Sequence, residues 1–107
     1  MGPQEFKPTL LLTTTDGEAS AKHLAQRLVE ERLAACVSYH PMNSVYRWQG
    51  EVQEAQEFQL VVKCNEAQVE QVMERIKELH QYEVPEMLVL PISKGSRAYL
   101  SWMKEQL

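Results

Sequence analysis

The chain has 107 residues, 44% hydrophobic and 24% charged, with a formal net charge of −4. That length suits one domain with a single core, and the composition is that of a folded globule rather than a disordered segment. The eleven Lys and Arg are scattered, which argues against a nucleic acid as partner, and no apolar run nears the ~20 residues that span a bilayer.

Residues Met1 to Pro8 carry a lone Lys7 and no apolar core, so they read as a flexible lead-in rather than a signal peptide. With two cysteines and no export signal, the expected location is a reducing cytoplasm. Thr9 to Thr15 is a β-branched and apolar run, a buried strand closed by Asp16-Gly17. Ala21, Leu24, Ala25, Leu28 and Val29 then recur at helical spacing and predict a helix with one buried face. Glu18 and Arg32 stand near its two ends with the signs that its dipole favours.

Cys36 to Trp48 and Glu51 to Cys64 read as two strands around Gln49-Gly50, the second alternating Phe58, Leu60, Val62 and Cys64 with Gln59, Val61 and Lys63. Pro41 interrupts the first, which predicts a bulge or bend there. Asn65 with Gln68 resembles a capping box for a helix that buries Val69, Val72, Met73 and Ile76. Met87 to Ile92 is a fourth strand, and Ser96 caps a last helix burying Tyr99, Leu100 and Met103. The order is βαββαβ plus a short C-terminal helix, an α+β ferredoxin-like sandwich in one domain over residues 1–107.

The central hairpin outgrows that domain. Its first arm would extend ~43 Å at ~3.3 Å per residue, whereas a globule of ~100 residues is only about 35 Å across. Its far end carries Val45, Tyr46, Trp48 and Val52, large side chains beside unpaired strand edges. Such a tip is an aggregation hazard unless covered, and a second copy of the chain is the simplest cover. Tyr46, Trp48 and Val52 are therefore candidate interface residues of a homo-oligomer.

Enzymatic signatures are absent. His23, His40 and His80 form no helical i,i+4 pair, no G-x-S-x-G elbow surrounds a serine, and no Walker-type phosphate loop is present. Asp16 and Glu18 in the first strand-to-helix turn would repel a phosphate. An RNA-binding sheet of this type needs stacked aromatics, but Phe58 falls in period with core aliphatics. A copper chaperone needs C-x-x-C where this chain has Thr13-Thr14-Thr15-Asp16-Gly17. Cys36 and Cys64 read as small buried hydrophobes, with a soft-metal or redox role as the alternative. The richest polar cluster is His80-Gln81-Tyr82-Glu83-Val84-Pro85-Glu86. Its imidazole, phenol and carboxylates suit a divalent cation, while the plainer reading is helix capping and surface ion pairs.

Four segments stand together in a recognisable order: Glu31 to Val37, Ser44 to Gly50, His80 to Glu86, and Tyr99 to Trp102. In these the chain resembles the CutA family of divalent-cation tolerance proteins, from about Thr9 to Trp102. The resemblance implies a tight homotrimer of ferredoxin-like protomers, akin to the PII signalling proteins. It also implies a cytoplasmic role in the response to metal ions, with binding of copper or another divalent cation and no organic cofactor. His80 matches a proposed family metal ligand, and Cys36 matches a cysteine common in the family. Some members carry cysteine where this chain has Thr13, and histidine where it has Leu79. Met42 and Gln81 depart from the usual glycine and proline. The expected function is thus a non-enzymatic trimer that binds divalent ions weakly and neither nucleic acid nor membrane. Alternatives are a PII-like small-molecule sensor with ligands between subunits, and a scaffold for an unidentified protein partner.

Overall fold

The computed structural model describes residues 5–107. Strand β1 (Pro8–Thr15) leads to helix α1 (Glu18–Glu30), then to a hairpin of β2 (Cys36–Trp48) and β3 (Glu51–Asn65). A single 3-10 turn, Glu66–Gln68, opens helix α2 (Val69–Leu79), followed by β4 (Leu88–Pro91) and helix α3 (Arg97–Gln106). The strands make one antiparallel sheet in the order β2-β3-β1-β4, the ferredoxin-like arrangement. Of the lead-in, residues 1–4 lie outside the described residues. Lys7 is already tied down: its N–H donates to Asn65 Oδ1 at 3.1 Å, and its carbonyl accepts from Glu66 N–H at 2.9 Å.

Alternation along β1 and β3 sends Leu11, Leu60, Val62 and Cys64 to one face, where Ala21, Leu24 and Leu28 of α1 and Val72 and Ile76 of α2 cover them. Val29, expected on that face, is exposed, because it lies about 100° round the helix from Leu28. Helix α1 stops in a Schellman motif. Leu33 N–H donates to Leu28 O and Arg32 N–H to Val29 O, with Arg32 in the left-handed region at φ 58°. Asn65 caps the 3-10 turn through Ala67 N–H rather than closing a box with Gln68 on α2.

The hairpin turns tightly, with both Gln49 (φ 52°) and Gly50 (φ 83°) left-handed, as a two-residue primed turn requires. From there β2 and β3 pair without a slip as far as Cys36 opposite Lys63, so no bulge occurs at Pro41. Counting from the turn, Pro41 and Phe58 form a non-hydrogen-bonded pair, and β2 is an edge strand. The position where proline lacks its N–H therefore faces out of the sheet, and nothing in the ladder is lost.

Helix α3 begins as expected, with Ser96 Oγ accepting from Tyr99 N–H at 3.2 Å. It packs on the sheet face opposite α1 and α2, since Tyr99 meets Lys63, which alternates with the core residues Val62 and Cys64. Only Met103 of its apolar residues is fully buried; Tyr99 is exposed and Leu100 half-buried. The molecule measures 49 × 26 × 24 Å, the long axis being the excess that the hairpin arm predicts.

Candidate functional site

Met42, Ser44, Tyr46 and Trp48 are alternate residues of β2, so period two sets them on one side of the hairpin, away from α1 and α2. Glu57 stands on the same side, directly opposite Met42. The segment after α2 folds back toward them and lines an open cleft of about 670 Å³. Glu57 is only 9% exposed, whereas Glu83 and Glu86 stand at the exposed rim. No lysine or arginine lines this cleft among the described residues.

A chain of hydrogen bonds holds the wall in place. His80 Nε2 lies 2.6 Å from the carbonyl oxygen of Thr14, and its Nδ1 accepts from Tyr82 N–H at 3.0 Å. A carbonyl on one side and an amide on the other place the proton on Nε2. The Tyr82 hydroxyl donates to Glu57 Oε2 at 3.2 Å. Burial, then the neighbouring Glu57 carboxylate, push the Tyr82 phenol up to about 12, which keeps it a donor.

The structure does not bring the two candidate metal ligands together. His80 sits beside Thr14, which pairs with Gln59, while Cys36 pairs with Lys63, four residues or ~13 Å further along β3. His80 occupies the C-cap position of α2, but its ring is tied to β1 and to Tyr82 rather than to the helix end. Cys36 is half-buried, with Lys63 Nζ 3.8 Å from its sulfur and Tyr99 Oη 3.2 Å from the same ammonium. Cys64 is buried, and desolvation pushes its thiol up to about 11. Among the described residues, no three His, Cys, Asp or Glu converge where a metal ion would sit. Thr13 is fully buried with an Oγ1 that finds no partner among the described residues. The candidate interface residues Tyr46, Trp48 and Val52 are all exposed, Val52 at 64%.

Glu57 escaped the sequence reading. Its position in β3 marks it only as facing away from the helices, and its partner Tyr82 is 25 residues distant in a loop.

The class that this fold defines is a ferredoxin-like α+β protomer with a long central hairpin. The family model described as CutA1 divalent ion tolerance protein matches residues 9–106. A divalent-cation tolerance protein CutA of Thermus thermophilus is 50% identical over 97 residues, covering 90% of this chain and 94% of that one. The crystal structure of CutA1 from Oryza sativa superposes with a TM-score of 0.92 at 36% identity, covering 94% of each chain. The structure of a periplasmic divalent cation tolerance protein CutA from Archaeoglobus fulgidus gives 0.91 at 31% identity, over 92% of this chain and 97% of that one. The chain belongs to the CutA family of divalent-ion tolerance proteins.

Proposed function

We propose that this chain works as a cytoplasmic homotrimer in the response to divalent metal ions, holding such ions weakly and catalysing no reaction. The hairpin is the observation that carries the reading. The molecule is 49 Å long against 26 and 24 Å across, and its outer hairpin bears exposed Val45, Tyr46, Trp48 and Val52. A closed ring of three uses two different surfaces on each copy. The hairpin supplies one, and the edge strand β4, with Leu88, Val89 and Leu90 exposed, supplies the other. Two free cysteines, neither in a disulfide, suit a reducing compartment.

Membership of a divalent-ion tolerance family supports the metal role, and His80 is the residue through which we assign it. Nδ1 would take an ion by giving up the Tyr82 amide, while Nε2 keeps its carbonyl partner, the outer support common behind metal-bound imidazoles. With no three His, Cys, Asp or Glu converging among the described residues, such a site is weak. Cys36 stands apart from it. Calorimetric titration of N-terminally acetylated protein, which removes the terminal amine as a rival, tests this. Cu(II) should bind more tightly than Zn(II). His80→Ala should cost at least roughly tenfold in affinity, about 1.4 kcal/mol. Equal binding by His80→Ala would refute the assignment.

A second reading, a small-molecule sensor, is favoured by the cleft itself, since cavities of roughly 300–1,000 Å³ are the usual size of ligand sites.

A further inference from the structure

We draw no further inference here: the strongest candidate, the side-chain cluster of Cys36, Lys63 and Tyr99 on the sheet face that carries α3, is a lone half-buried thiol beside an ammonium that the Tyr99 hydroxyl already engages, and nothing among the described residues there points to a ligand or a reaction.

Discussion

His80 Nε2 and the carbonyl oxygen of Thr14 stand 2.6 Å apart across 66 positions of sequence, pinning the loop after α2 to the middle of the sheet. The same ring receives the Tyr82 amide on its other nitrogen, so one side chain fixes both the loop and the wall of the cleft. Removing it leaves a carbonyl and an amide without partners. His80→Ala should lower stability by about 1–3 kcal/mol, read by denaturant unfolding. A change under a few tenths of a kcal/mol would show that water replaces the imidazole without loss.

Thr13 offers the opposite case. Its hydroxyl is buried and has no partner among the described residues, so the native state bears its desolvation without return. Valine has nearly the same shape and removes the polar atom. Thr13→Val should raise stability by about 1 kcal/mol. A loss of stability would mean that the hydroxyl is satisfied by bound water.

Tyr82 gives a pH signature. Its phenol is pushed up to about 12 by burial and by Glu57, from an ordinary value of 10.0. A raised pKa means that the fold favours the protonated form. The stabilisation is therefore complete below pH 10 and is lost as pH rises through about 12. Denaturant midpoints at pH 9 and 11 should fall further for the parent than for Tyr82→Phe. Parallel falls would show that Tyr82 titrates like a free phenol.

The cysteines differ in access. Cys64 is buried with its thiol pushed up to about 11, whereas Cys36 is half-buried at the start of β2. An aromatic disulfide reagent should label one thiol per chain under native conditions and two in denaturant. Cys36→Ser should abolish the native reaction; persistent labelling of that variant would place Cys64 within reach of solvent.

Much of the fold is legible from spacing alone, because each helix stripe and each strand alternation reports which side is buried. The stripe Ala21-Leu24-Ala25-Leu28 and the alternation Leu60-Val62-Cys64 meet in one core. Pro41 misled because proline disrupts a ladder only where its N–H would point inward, and the pairing phase follows from the turn rather than from the residue. The site was less legible. His80 and Tyr82 stood out as a polar cluster, but Glu57 is one acidic residue in a strand with many. Its burial arises only when a loop 25 residues away closes over it. The two candidate metal ligands were read from residue type, which carries no distance: Cys36 lies at another level of the sheet from His80.

The long hairpin with its exposed aromatic end is the feature on which the proposed function turns, and its mass in solution tests it most directly. Light scattering coupled to gel filtration at micromolar concentration should give three times 12.4 kDa for the parent. Trp48→Ala should shift the mass toward one copy or lower the melting temperature, since aromatics at interface centres are often worth ~2 kcal/mol or more. Far-ultraviolet circular dichroism should stay near that of the parent. A parent mass of 12.4 kDa would contradict the account, because the exposed hairpin and the β4 edge would then face water in the working protein.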